Sequence, residues 1–177
     1  LVKKSVKWWF KLIKKVKRFF LEIKIANKQS PKLDISDKIK IDLDSNKDFQ
    51  VNKFFYKQIG IDHYWRDRLV WTDKEWHRYV KKSNFETWIM KKEDKLLGFY
   101  EQEYHPSSNE VELINMGILK EFRGKILGSM LLNHSISSAF EKKPKRLWVH
   151  TCSLDHEYAL YNYKSKGFKV FKEEEID

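Results

Sequence analysis

From residue 111 to residue 171 the hydrophobic pattern keeps switching period, and nothing else in the sequence narrows the fold as much. Val111–Leu119 is an apolar run of strand length. Leu127, Met130, Leu131, His134, Ile136 and Phe140 then recur at helical spacing. Arg146–Cys152 reads as a strand, Asp155–Lys166 as a helix and Phe168–Phe171 as a last strand. Strand–helix–strand–helix–strand predicts an α/β domain, because each helix must bury its apolar stripe on the sheet its flanking strands build.

The chain before this block is less regular. Val51, Phe54, Phe55 and Ile59 predict a helix up to Gly60. His63, Tyr64, Trp65, Trp71 and Trp76 form an aromatic cluster. Thr72 and Glu75 stand three apart, the spacing of a capping box, which starts a helix near Asp73. Phe85–Lys91 and Lys95–Tyr104 predict a hairpin turning at Glu93-Asp94, and Pro106–Asn109 a loop. Residues 26–48 read as a linker, with one short strand at Ile39–Leu43.

Composition matters chiefly for what it excludes. With 177 residues, 41% of them hydrophobic, the chain suits one domain with a real core, set at residues 49–177. A single cysteine, Cys152, excludes an internal disulfide framework and suits a reducing, cytoplasmic setting. No apolar run is long enough for a membrane-spanning helix. The net charge of +11 is unevenly placed. Residues 1–30 hold ten basic residues and one acid, Glu22, hence +9; residues 31–177 hold 26 basic and 24 acidic residues, hence +2. The basic pI therefore describes a leader, and nucleic acid is the least favoured partner of the domain.

Within that leader, taken as residues 1–25, Val2, Val6, Trp9, Ile13, Val16 and Phe20 share one helical face and Lys4, Lys7, Lys11 and Arg18 another. Such a helix suits an anionic membrane surface, through residues 1–21, at the inner membrane face. Packing of its apolar stripe on its own domain or on a partner chain is the other reading. Monomer and homodimer both remain open.

The stretch that carries chemistry is Met116–Leu132. A strand ends, a loop containing Arg123, Gly124, Lys125 and Gly128 follows, and a helix begins. Amides at a helix N-terminus are unpaired and carry about half a positive charge. Glycines allow close backbone approach, and Arg123 and Lys125 add positive charge. The arrangement suits a pyrophosphate. The loop has neither the Gly-Lys-Ser/Thr ending of a nucleoside-triphosphate site nor Gly-x-Gly-x-x-Gly.

In these residues the sequence resembles the GNAT superfamily of acetyl-CoA-dependent N-acetyltransferases. Arg123-Gly-Lys-Ile-Leu-Gly128 is similar to the family's Arg/Gln-x-x-Gly-x-Gly/Ala loop, with Ile126 at the middle glycine. Ala159–Phe168 is similar to its Ala-x-x-x-Tyr-x-x-x-Gly-Phe helix-to-strand block, with Tyr163 on the tyrosine. His150–His156 and Trp65–Arg68 resemble an uncharacterised bacterial subgroup. The resemblance implies a mixed, twisted sheet of six to seven strands with flanking helices, splayed between the family's fourth and fifth strands. It implies acetyl-CoA as cosubstrate, its pantetheine held by the backbone of Met116, Gly117 and Ile118 and its pyrophosphate by Arg123, Gly124, Lys125, Ile126, Leu127, Gly128 and Ser129. A neutral amine attacks the thioester directly, with Tyr163 as acid for the leaving sulfur and Glu112 as base, backed by Glu101 and Glu103.

The departure at Ile126 bears on activity. A β-branched residue resists φ > 0. If the loop needs a left-handed residue there, CoA binding weakens; if it needs only close approach, the loss is smaller. The rival to an active enzyme is a CoA-binding or partner-binding module with little turnover. His156, after Asp155, is assigned a local capping or positioning role rather than catalysis, and is counted with the cofactor-binding residues. Trp65, Trp71 and Trp76 suit either a core or, with Glu101, an acceptor pocket. His150 and Cys152 share a strand face, but no further ligands stand at usable spacing, so no metal is expected. Glu173–Glu175 reads as a solvated end.

Overall fold

The computed structural model describes residues 15–24, 38–124 and 126–176. Seven strands form one sheet: β1 (Val16–Lys24), β2 (Ile39–Leu43), β3 (Phe85–Lys92), β4 (Lys95–His105), β5 (Glu110–Ile118), β6 (Arg146–Cys152) and β7 (Lys169–Ile176). The helices are α1 (Phe49–Gly60), α2 (Asp73–Val80), α3 (Leu127–Glu141) and α4 (Ala159–Ser165). Strand order is β2-β3-β4-β5-β6-β1-β7. Only β5 and β6 pair in parallel; every other neighbouring pair is antiparallel.

Alternation along the central strands assigns the two faces. Phe99 stacks on Phe55 of α1, ring centroids 4.7 Å apart, while the next residue, Tyr100, faces α3 and bonds to His134 through its hydroxyl at 2.9 Å. The main core lies between the sheet and α3, around Leu113, Leu131, Leu132, Ile136 and Val149. Two smaller clusters lie under α1 and α2, one around Phe55, Ile59 and Phe99, the other around Tyr56, Trp76, Tyr79 and Phe85. Local sequence sets the helix starts. Asp48 caps α1 by accepting the Gln50 N–H, and Thr72 and Glu75 form the expected capping box at α2.

The leader departs from its helical expectation. Residues 16–24 form β1, seated between β6 and β7; residues 1–14, the rest of the expected helix, lie outside the described residues, as do residues 25–37 of the linker. The reason is a second pattern within the first. Phe19, Leu21 and Ile23 alternate inward onto the main core, and their neighbours turn outward. Cross-strand partners decide between the two periods. Leu21 lies opposite Val149 on β6 and Val170 on β7. Arg18 is ion-paired with Glu174 and Lys15 with Glu175. The expected solvated end, Glu173–Glu175, is thus part of β7, and its acids face the leader's bases. The sheet also takes in Ile39–Leu43, so it recruits chain from outside residues 49–177.

Leu21 has no exposed surface. Leu21→Ala is expected to destabilise the fold by about 2–5 kcal/mol, read from urea unfolding. A loss below about 0.5 kcal/mol would contradict the docking of β1 in the core.

Candidate active site

The site begins where two strands part. β5 and β6 stay paired from Glu110/Arg146 to Leu113/Val149 and no further, so β5 diverges over Ile114–Ile118. The expected splay is therefore present, between the fifth and sixth strands of this chain because the leader contributes the first. A cavity of about 530 Å3 occupies the opening. Met116, Gly117 and Ile118 form one wall, and Asp155, His156, Asn162 and Tyr163 form another. The loop before α3 and its first turn supply Arg123, Gly124, Ile126, Gly128 and Ser129. Ile59 and His63 close it from α1 and the turn after it.

Gly117 is required by packing. A Cβ there would lie 2.6 Å from Ile59 Cγ2, so only glycine lets α1 close on β5. Gly124 is required by its backbone, at φ +77. A Cβ at Gly124 or Gly128 would meet nothing within 4 Å, so the space above the start of α3 is open. No side chain caps α3 and no acid sits in its first turn. Its first amides therefore present an uncompensated positive end to the cavity. Ile126, the N-cap residue, adopts the left-handed conformation, φ 58 and ψ −5, with its side chain 77% exposed. The loop thus demands the backbone that isoleucine disfavours.

Arg123 is not a mobile charge. Its Nε donates to the Ile118 carbonyl and its Nη1 to Asp62 at 2.9 Å, which fastens the loop to the segment after α1. Its Nη2 is buried and has no hydrogen-bond partner among the described residues. The hydrogen bond from Arg123 also holds the Asp62 carboxyl below its usual range. Lys125 lies outside the described residues.

Tyr163 is buried against Phe168 while lining the cavity. Burial, with the nearby Asp155 charge, pushes its phenol far above the usual range, so it stays protonated as a donor. His63 and Asp155 were not anticipated. His63 Nδ1 stands 3.9 Å from Asp155, and its ring meets His156 edge-on at 5.7 Å. Asp155 is itself fixed by the Thr151 hydroxyl and the His156 N–H. Burial lowers the His63 pKa despite Asp155, with Arg123 and His156 pushing the same way. No local motif marks this pair; the fold brings together the turn after α1 and the turn after β6.

Several expected residues lie elsewhere. Glu112 is not among the cavity-lining residues. It sits lower on β5, opposite Glu103, and is bonded to His105 at 3.2 Å. Leu127 turns into the main core. Trp65 packs on Tyr56 and Phe99, and Trp71 on Trp76 and Tyr79. Glu101 is fully buried and accepts hydrogen bonds from Asn52, Arg68, Tyr79 and Asn115. These three fill space behind the cavity because α1 and α2 fold their aromatic faces inward. Among the described residues no group of three or more His, Cys, Asp or Glu could hold a metal ion, and no helix is long and apolar enough to cross a membrane.

Comparison with known proteins agrees with this geometry. The profile of the acetyltransferase (GNAT) family matches residues 49–168. Among solved structures, the chain is similar to an aminoglycoside acetyltransferase from an uncultured soil metagenomic sample, at 15% identity and TM-score 0.62, covering 76% of this chain and 90% of that one. It is similar to a GCN5-related N-acetyltransferase from Sphaerobacter thermophilus at 11% identity and TM-score 0.72, covering 91% of this chain but 50% of that one. It is similar to the ribosomal-protein-S18-alanine N-acetyltransferase from Escherichia coli at 17% identity and TM-score 0.59, covering 74% and 77%. Among curated proteins no sequence matches.

Strain at Ile126 is directly measurable. Ile126→Gly removes an exposed side chain and a disfavoured φ together, so it should stabilise the fold by about 1 kcal/mol in urea unfolding. A destabilised Ile126→Gly would show that this loop is not strained.

Proposed function

The chain belongs to the acetyltransferase (GNAT) family, whose acetyl donor is acetyl-CoA, and from that premise we propose that it transfers an acetyl group to the amine of an acceptor by direct attack within a ternary complex. One observation carries the reading: the cavity opened by the parting of β5 and β6 has the unpaired start of α3 at its rim and Tyr163 in its wall. The residues present fit acetyl-CoA. The amides opening α3, left without a side-chain cap or an acid in the first turn, suit its pyrophosphate. The freed edge of β5 at Met116–Ile118 suits the amides of its pantetheine arm. Exposed rings at Tyr158 and Tyr161, both beside the cavity, suit an adenine face.

In the transfer step the amine nitrogen bonds to the thioester carbon and the carbon–sulfur bond breaks. Sulfur gathers negative charge as it leaves, and Tyr163, kept protonated by burial, donates a hydrogen bond to it. The attacking amine loses a proton. His63 replaces Glu112 as our candidate to accept it, because it lines the cavity, is held neutral by burial and faces Asp155. Alignment of both substrates supplies much of the rate.

The leader reading narrows with β1 in the sheet. Residues 1–14 carry five lysines and no acid, and they are the part left to meet an anionic surface. Co-sedimentation of the full chain with phosphatidylserine vesicles, lost in a chain lacking residues 1–14, tests this. Equal sedimentation of the two chains would refute it.

Acetyl-CoA at about a thousandfold over its Kd should stabilise the chain by about 4 kcal/mol, roughly 10 °C in Tm. Tyr163→Phe and His63→Gln should each lower kcat about a hundredfold while keeping that shift. A chain whose Tm ignores acetyl-CoA would end the reading. Unchanged kcat in either variant would remove that residue from its role.

A further inference from the structure

Behind the cavity, a charged side chain occupies a box of aromatic rings. The Arg68 guanidinium lies 4.2 Å from the Tyr79 ring centroid, 5.0 Å from Trp71, 5.5 Å from Tyr56 and 6.0 Å from Trp76. At the end of the box its Nη1 donates to Glu101, 3.1 Å away, whose side chain has no exposed surface. Four rings and a buried carboxylate are the elements with which proteins recognise organic cations. Here the cation comes from the connection between α1 and α2.

Three observations separate this box from an ordinary buried ion pair. The first is position. Asn115, which donates to Glu101, immediately precedes Met116 in the cavity wall. Tyr56 of the box and Ile59 of the cavity wall lie one turn apart on α1. The box therefore lies directly behind the cavity wall. The second is an open valence. Asn52 is fully buried, donates to Glu101 and Thr87, and leaves its Oδ1 without a partner. A ligand ammonium beside Glu101 offers the donor that this oxygen lacks. The third is the packing of the connection itself. Leu69 and Val70, which follow Arg68, are 52% and 85% exposed, so the chain beside Arg68 lies at the surface.

We propose that the Tyr56–Trp71–Trp76–Tyr79 box, with Glu101 and Asn52 at its end, is the seat for a cationic group of the acceptor, and that Arg68 fills it as an internal occupant until the acceptor displaces it. The proposal rests on the acetyl-transfer reading and names the class of acceptor. A group bound against Glu101 stays protonated and cannot attack a thioester. It is an anchor, so the acceptor carries a second basic group, the amine that reacts. Polyamines and guanidino-amines have this form. Arg68 then acts as a gate, since the box takes an acceptor only when the Arg68 side chain swings out, Trp71 staying in place as a wall.

The test uses the full chain with methylguanidinium and 1,4-diaminobutane as probes, followed by tryptophan fluorescence, with Trp71 and Trp76 in the box as reporters. Arg68→Ala removes the occupant, so the probes should bind it saturably and about tenfold or more tightly than they bind the wild type, which must first open. Glu101→Gln added to Arg68→Ala should abolish that binding. A folded Arg68→Ala that gives no saturable response, or a response unaltered by Glu101→Gln, overturns the proposal. Hydrogen exchange on the wild type covers the case in which Arg68→Ala does not fold. Diaminobutane should speed exchange of the Leu69 and Trp71 amides, which bond to the Arg66 and Arg68 carbonyls, while leaving α1 unchanged. No acceleration there also overturns it. Acetyl-CoA stabilisation is read separately. Stabilisation without cation binding sinks the box alone; cation binding without stabilisation sinks acetyl transfer and leaves the box as a cation site.

Discussion

β1 joins the two halves of the α4 crossover. β6 and β7 run in the same direction, a strand's width apart, and β1 fills the gap antiparallel to both. Among the described residues β7 has no other strand neighbour. α4 hangs between β6 and β7 and carries Asn162 and Tyr163 into the cavity, so one whole wall of the site is held in place through β1. The hydrophobic contribution comes from Leu21 and Ile23; the ion pairs of Arg18 and Lys15 with Glu174 and Glu175 add register more than energy, since exposed pairs are weak.

The opposite wall depends on a parting. Parallel pairing of β5 with β6 stops at Leu113 and Val149, which leaves that edge of Met116–Ile118 without a strand partner, its Ile118 carbonyl taken by Arg123. A free strand edge inside a protein is costly unless something bonds to it, and the same opening faces the uncapped start of α3. Strand edge and helix end thus bring backbone groups from two elements to one cavity, alongside the side chains that line it.

Most of the sheet and all four helices were legible in the sequence, because their signals are local: the Thr72–Glu75 box, the switch of period at Leu127 and the hairpin at Glu93. β1 was misread because residues 2–20 satisfy helical spacing while Phe19, Leu21 and Ile23 also satisfy alternation. Only partners more than a hundred residues away decide between them. The backbone demand at Ile126 was legible for the same local reason as the helices. His63 and Asp155 were not, since their meeting is a product of tertiary folding. Trp71 and Glu101 carried the right residue types for a cation site, but their spacing cannot show that Arg68 already sits among them.

The placement of β1 also fixes an order of events during synthesis. Of the seven strands described it is made first, while both its neighbours, β6 and β7, are made last. Loop-closure entropy makes so distant a pairing slow to form. Until Cys152 has emerged, an apolar strand carrying Lys17, Arg18 and Lys24 has neither of its neighbours, and the acids of β7 reach it only after β6 has been made.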